Sequence, residues 1–330
     1  MTILARSAAY AAALSLLTAS AHAADLKKIS IGLSSSSIAV AGPKLAKELG
    51  LFEKHGLEVT ITSMETSTTA TAGLISGSLN YVAGGPTDVI YANARGQNLV
   101  ALCALYRGFS GVTVLSKATV EKLGVSPTAP VVDRAKALNG LLLASPSATS
   151  NFTMGPKLLT EAYGTKIRFT YMGQDAMSAA LQSGAIQGYT ASAPFYTQNV
   201  MKGDAVVWLN GPNGDYSTGA AALPANGSAL FSTRTFVEAN RDTSKRTCAV
   251  FDDLAKAFKE RPDDVRSAMR RVFSNVDPAT IDTVFKTDSP AFATKPLTKE
   301  DMAHEIAYIK ASGVDLDASK IDPASLVIEP

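Results

Sequence analysis

Histidine and cysteine are nearly missing from this chain, which has three of one and two of the other in 330 residues. One of the three, His22, falls in the first two dozen residues, so His55 and His304 are the only imidazoles beyond them. A zinc-type site needs several N and S ligands at close spacing, and neither these histidines nor Cys103 and Cys248 supply one, so no metal site is expected. Charge is also sparse. Only 18% of residues are Asp, Glu, Lys or Arg, the net charge is +2, and no basic run stands out. That leaves no electrostatic footprint for nucleic acid or an anionic membrane surface. Beyond the first 23 residues, no apolar run is long enough to cross a bilayer.

What is present is apolar material: 46% of the residues are hydrophobic, enough for a sizeable core divided between two lobes. Residues 1–23 read as a secretory signal peptide. Arg6 is the only charge there, an Ala/Leu-rich stretch runs from Ala8 to Ala19, and Ala21-His22-Ala23 forms a small-x-small cleavage site. The mature chain is then expected near Ala24, outside the cytoplasm. In such a compartment Cys103 and Cys248 either pair or remain two separately buried thiols, and their spacing does not choose.

Apolar periodicity predicts an alternation of strands and helices. Strands are expected at Lys28–Leu33, Leu57–Ile61, Leu79–Ala83 and Leu99–Tyr106, separated by helices Gly42–Gly50, Thr66–Ser76 and Thr87–Arg95. The pattern then restarts. Strands are predicted at Val112–Ser116, Leu141–Ala144, Ile167–Tyr171, Ile186–Ala191 and Val206–Leu209, with helices Gly155–Tyr163, Asp175–Gln182 and one from Pro194 between them. Ser126–Arg134 reads as a Pro-containing loop, and Gly211–Gly219, rich in Gly, Asn, Pro and Ser, as a hinge or boundary. After a short strand at Ser228–Phe231 come four amphipathic helices, Ser244–Glu260, Pro262–Phe273, Asp277–Phe285 and Lys299–Ser312. A surface-running tail from Asp315 follows. Strand and helix alternating in this way imply α/β lobes built on mostly parallel, doubly wound sheets.

Two segments recur. Gly42-Pro43-Lys44-Leu45 with Glu48 returns as Gly155-Pro156-Lys157-Leu158 with Glu161, and Leu74-x-Ser76-Gly77-x-Leu79-Asn80 returns as Leu181-x-Ser183-Gly184-x-Ile186-Gln187. Matches in the same order and at nearly the same offset argue for two similar lobes. An open α/β sheet binds its ligand outside the strand C-termini, where unpaired N–H groups of helix N-termini converge. In lobe one the loops at that edge are Ser34–Ser37 and Gly84–Thr87; in lobe two they are Ser145–Asn151 and Ala191–Pro194. The stretch Leu141–Thr160, a strand entering a helix through small hydroxyl and amide residues, is the most anion-receptive of them, although Ser, Thr and Asn there also suit a plain helix cap.

The chain resembles the solute-binding proteins of ABC importers for nitrate, sulfonates, taurine and related compounds, including the branch similar to thiamine-precursor binders. The resemblance rests on LAKELGLFEKHGLEVTI (Leu45–Ile61), SGSLNYVAGGPTDVIYANAR within Ala72–Arg95, ALNGLLLASPSATSN (Ala137–Asn151) and MGQDAMSAALQSGAIQGYTASAPF (Met172–Phe195). It implies a type II periplasmic binding fold: a signal peptide at 1–23, a discontinuous lobe one at 24–108 plus 220–330, and lobe two at 109–219. The crossings are expected near Arg107–Val112 and Gly211–Ser228, and the C-terminal helices on lobe one. It further implies ligand capture by hinge closure, a periplasmic location, an ABC permease in the inner membrane as partner, no cofactor and a monomeric state. Family members commonly carry Asp where this chain has Asn80 and Gly188, a departure expected to touch local packing only.

The candidate ligand-binding residues are Ser35, Ser36, Ser37, Gly85, Pro86, Thr87, Arg107, Ser147, Thr149, Ser150, Asn151, Phe152, Ser192, Pro194 and Tyr216. No Arg or Lys lies inside the four loops, which leaves Arg107 at the crossing as a possible anion clamp. Phe109, Phe152, Tyr171, Phe195, Tyr196 and Tyr216 fall near loop ends and could flank an apolar ligand body. Hydroxyl anchors beside aromatics favour an organic anion, a carboxylate or sulfonate, over nitrate. A thiamine-precursor-like heterocycle and a periplasmic sensor module are the alternatives. Catalysis is not expected: neither His55 nor His304 sits on a cleft loop as a base, and Cys103, inside an apolar strand, is unlike the cleft thiol of the related desulfinases.

Overall fold

The computed structural model describes residues 26–64, 66–217, 226–292, 294–314, 316–317 and 321–330. The signal peptide read at 1–23 and the middle of the expected return crossing, 218–225, lie outside the described residues. Two five-stranded sheets organise the chain. The first contains β1 (Lys27–Leu33), β2 (Leu57–Ser63), β3 (Tyr81–Gly84) and β4 (Leu99–Arg107). The second contains β5 (Val112–Ser116), β6 (Leu142–Ser145), β7 (Arg168–Tyr171), β8 (Gly188–Ala191) and β9 (Ala205–Asn210), and the chain then returns to the first through β10 (Asn226–Thr233).

The strand orders are β2-β1-β3-β10-β4 and β7-β6-β8-β5-β9. They superpose in kind: in each sheet the strand arriving from the other lobe, β10 or β5, is inserted antiparallel between parallel neighbours. Eight of the nine residues of β4 are buried, as a strand covered on both faces requires, whereas the outer strand β2 alternates at its start.

The duplication is visible in side chains. Asn80 Oδ1 accepts from the Ser30 N–H at 2.9 Å, tying the approach to β3 onto β1, and Gln187 Oε1 accepts from the Leu142 N–H at 2.7 Å, tying the approach to β8 onto β6. The counterpart of Asn80 is therefore Gln187, one residue before Gly188. Gly188 is instead packed so closely that a Cβ would lie 2.4 Å from the Val114 carbonyl oxygen.

The outward crossing is short. Gly108–Gly111 links β4 to β5, and the β10 residue Asn226 pairs with Arg107. Gly211, just after β9, donates its N–H to the Gly111 carbonyl at 2.9 Å; a Cβ there would come within 2.4 Å of that oxygen and 2.6 Å of the Phe109 carbonyl.

Two local expectations are corrected. The helix expected from Gly155 begins at Asn151 and contains Pro156, because Ser150 caps it by accepting from the Phe152 N–H. The loop expected at Ser126–Arg134 gives way after Pro130 to a helix, Val131–Ala137, held by buried Arg134, which donates to the Trp208 carbonyl at 2.5 Å and to Asp215 at 2.8 Å. The described end of the tail runs along the surface and is anchored there: Leu326 is buried, and Val327 bridges Ala101 alongside β4.

The helices Arg241–Glu260 and Pro262–Val272 cover the first lobe, and Pro278–Asp288 follows them and packs against the lobe-two helix Phe195–Lys202, where the Thr280 hydroxyl donates to Met201 Sδ at 3.2 Å. The first of these buries Thr247, Val250, Phe251, Leu254, Ala257 and Phe258 at three- and four-residue spacing. A disulfide between Cys103 on β4 and Cys248 on that helix, with Cα atoms 6.2 Å apart, resolves the alternative left open above. The last helix, Lys299–Ala311, opens with a reciprocal cap between Thr298 and Asp301. It also reaches lobe two: Tyr308 donates to the Asn151 carbonyl at 3.3 Å, and Lys157 to the Ser312 carbonyl at 2.6 Å.

Candidate ligand-binding cleft

The strand C-termini of both sheets open onto one cavity of about 1080 Å³. From lobe one, Ser34–Ser37 follow β1 directly. Ser35 and Ser37 hydroxyls lie 3.0 Å apart, and the Ile38 N–H donates to the lobe-two Ala193 carbonyl at 2.9 Å, so the lobes touch beside this loop. Gly85, Thr87 and Asp88 enter the wall from the turn after β3 and the helix Pro86–Ala94.

From lobe two, Pro146, Ser147, Thr149, Ser150, Asn151 and Phe152 line the opposite wall. Buried Thr153 fixes this loop. Its hydroxyl donates to the Ser147 carbonyl at 2.6 Å and is bonded to the Ser145 hydroxyl, which leaves the Ser147 and Thr149 side chains on the exposed side. The helix Asn151–Ala162 points its N-terminus at this wall, which favours partial negative charge there.

Ten of the fifteen residues singled out from sequence thus share the cavity wall: Ser35, Ser36, Ser37, Gly85, Thr87, Ser147, Thr149, Ser150, Asn151 and Phe152. Pro86, Arg107, Ser192, Pro194 and Tyr216 do not. Pro86 is buried as the first residue of its helix, and Arg107 is exposed at the end of β4. Ser192 is fully buried, its N–H donating to Gln174 Oε1 at 2.8 Å, and Pro194 is buried beside it after a cis peptide bond. Tyr216 packs edge-on against Phe109 at 5.0 Å with its hydroxyl 2.5 Å from that of Thr113; burial pushes its phenol far above the usual tyrosine range. Of the aromatics, Phe109, Phe152 and Phe195 border the cavity, Tyr196 is buried outside its wall, and Tyr171 stands half exposed on a separate pocket of about 370 Å³.

Two further loops contribute that sequence reading passed over. Ser63 at the end of β2 is followed by Met64, Thr66, Ser67 and Thr71, and after β7 come Gly173, Gln174 and Asp175. Since β2 and β7 are counterparts, applying the strand-terminus rule to every parallel strand would have found them.

The helix Pro86–Ala94 adds a stripe, Thr87, Asp88, Tyr91, Ala92 and, at its end, Arg95, spaced as one helical face. Asp88 Oδ2 is shut off from solvent and has no hydrogen-bond partner. Burial raises the Asp88 carboxyl to about 6, against the pull of the Ser67 hydroxyl and the Gly85 backbone. Tyr91 is raised to about 12 by burial and by the Asp88 charge, with Arg95 acting in the other direction.

A sequence profile of the NMT1-like family matches residues 23–272. The chain belongs to that family. No curated protein sequence matches this NMT1-like protein. Its fold is shared with solved solute-binding proteins. The alkanesulfonate-binding protein SsuA of Xanthomonas axonopodis pv. citri bound to MOPS has a TM-score of 0.74 at 17% identity, covering 93% of this chain and 99% of that one. The aliphatic sulphonate-binding SsuA of Escherichia coli gives 0.69 at 18% identity, covering 92% of each chain. The periplasmic nitrate-binding protein NrtA of Synechocystis PCC 6803 gives 0.72 at 15% identity, covering 92% of this chain and 85% of its own. The type II periplasmic binding fold implied by the resemblance is therefore the fold of this NMT1-like chain.

Proposed function

We propose that this NMT1-like protein is the extracytoplasmic solute-binding component of an ABC importer, placed in the periplasm by its leader and read by an inner-membrane permease. Its two lobes, 24–108 with 220–330 and 109–219, close about the crossings on a small organic anion, a carboxylate or sulfonate with an apolar body. The observation that carries this reading is the shared cavity, whose walls bring serine and threonine hydroxyls and a helix N-terminus from both lobes around three phenylalanines. Its volume suits a small organic solute, and hydroxyls and helix N-terminal N–H groups bond oxyanions well. The named neighbours, which bind alkanesulfonates and nitrate, add a precedent on the same fold.

A non-catalytic role is favoured by the described wall residues, which include no His, Cys or Lys; the carboxylates there are Asp88, beside the Ser67 hydroxyl, and Asp175. Cys103 is engaged in a disulfide. The three phenylalanines keep a thiamine-precursor-like heterocycle as the second reading.

Thermal unfolding in the presence of aliphatic and aromatic carboxylates, sulfonates, nitrate and pyrimidines tests the proposal. One class should stabilise the chain, by roughly 2.7 kcal/mol at a hundred times its Kd. Stabilisation by none of them overturns the receptor reading.

A further inference from the structure

An anion offers a binding site only acceptors. Yet the cavity wall already contains two acceptor oxygens with nothing to accept, one from each lobe: Asp88 Oδ2 and Asn151 Oδ1 are both shut off from solvent and without a hydrogen-bond partner. An unmade bond at a buried carboxylate is costly, and an anion seated against it adds repulsion. Gly84 leaves the carboxyl its space: a Cβ there would stand 3.1 Å from Asp88 Oδ2. The other cavity-lining charges among the described residues are Arg95 and Asp175. Arg95 lies seven residues after Asp88 on the same helical face, about 10 Å along the axis. An acidic end and a basic end are thus set apart along one wall.

Resting on the solute-receptor reading above, we propose that Asp88 is a specificity-determining residue that takes an ammonium or N–H group of the ligand, so that the solute is amphoteric, with a nitrogen donor as well as an acidic group. The donor sits at the deep, acidic end of the wall. The acidic group meets the hydroxyls of the opposite loop or Arg95.

The groups that could confuse a pH effect at Asp88 are few. Tyr91 and Arg95 share its helix, Asp175 lines the cavity from lobe two, and the Ser67 hydroxyl that bonds the carboxyl does not titrate in the acid range. With the carboxyl raised to about 6, a bound ammonium requires its ionised form, so affinity falls about tenfold per pH unit below 6.

The test presents matched pairs differing by one amino group, such as β-alanine with propionate, 4-aminobenzoate with benzoate, and 4-aminopyrimidine with pyrimidine, alongside the sulfonates and nitrate of the earlier panel. Wild-type protein and Asp88→Asn are compared by thermal shift and calorimetry. The expected result is that amino members alone stabilise the wild type, and that Asp88→Asn weakens them roughly 10- to 100-fold, the worth of one charge-assisted bond. Equal or better stabilisation by members without the amino group overturns the proposal and leaves the receptor reading standing. Silence across the whole panel overturns the receptor reading and the proposal with it. Should Asp88→Asn fail to fold, the wild-type affinity for the bound amino member decides alone between pH 7.5 and 5, where a pH-independent Kd overturns the proposal.

Discussion

At the scale of single residues, Asp88 is the position where local chemistry and fold disagree most. An aspartate in the first turn of a helix is ordinary and favourable. This one is also pushed up to about 6 by burial, so the folded chain holds its proton more tightly than the unfolded chain, where the ordinary value is 3.8. Above pH 6 the group is ionised in both states and the fold bears the desolvation; below about pH 4 it is protonated in both and that cost vanishes. Asp88→Asn is therefore expected to raise the stability of the ligand-free protein at pH 7.5 by on the order of 2 kcal/mol, and to leave it unchanged at pH 4. Urea titrations at the two pH values measure this. A loss of stability at pH 7.5 would mean that the carboxylate serves the helix rather than a ligand.

Among elements, β4 is the one on which most of the first lobe depends. It is an outer strand of its sheet, and an uncovered edge invites pairing with other chains. Three separate segments cover it: Pro296 bridges Cys103, Val327 bridges Ala101, and the disulfide pins Cys103 to the helix Arg241–Glu260. The cross-link joins residues 145 apart in sequence, and loops of that size gain most from closure. Replacing both cysteines by alanine should cost about 2–5 kcal/mol in denaturant unfolding and leave the affinity for any ligand of the cleft nearly unchanged, because neither cysteine lines the cavity. An affinity loss equal to the stability loss would show that the cross-link also shapes the cleft.

For the whole molecule, the question is what lets two lobes move as units. The first crossing is Gly108–Gly111, and Gly211 lies against it at a distance that excludes any side chain. Gly211→Ala would drive a methyl group into the Gly111 and Phe109 carbonyls, so the two segments must separate. We expect a loss of roughly 2–4 kcal/mol in stability, as for overpacking at other crowded sites. We also expect a changed radius of gyration by X-ray scattering in the ligand-free state, whereas Gly77→Ala, at a positive φ of 79° but with open space around it, should alter stability alone. Identical scattering for Gly211→Ala and wild type would remove Gly211 from the hinge.

Sequence alone determined the alternation of strands and helices, the duplication, the resemblance and ten residues of the cavity wall, because each of these is written in local periodicity or in short motifs at strand ends. It could not see that Asn80 and its counterpart Gln187 each accept from a backbone N–H of a neighbouring strand, since that contact is a register between strands. Nor could it see that Tyr216, Ser192 and Pro194 are turned into the structure while Asp88, Tyr91 and Arg95 face the cleft, because the side of a helix that meets a cavity depends on how the helix is packed. Tertiary structure alone decided that Cys103 and Cys248 meet, that the last helix reaches both lobes, and that two acceptor oxygens from opposite lobes stand unpartnered in one cavity. Burial and pairing arise between segments far apart in sequence, and only folding sets the distance between them.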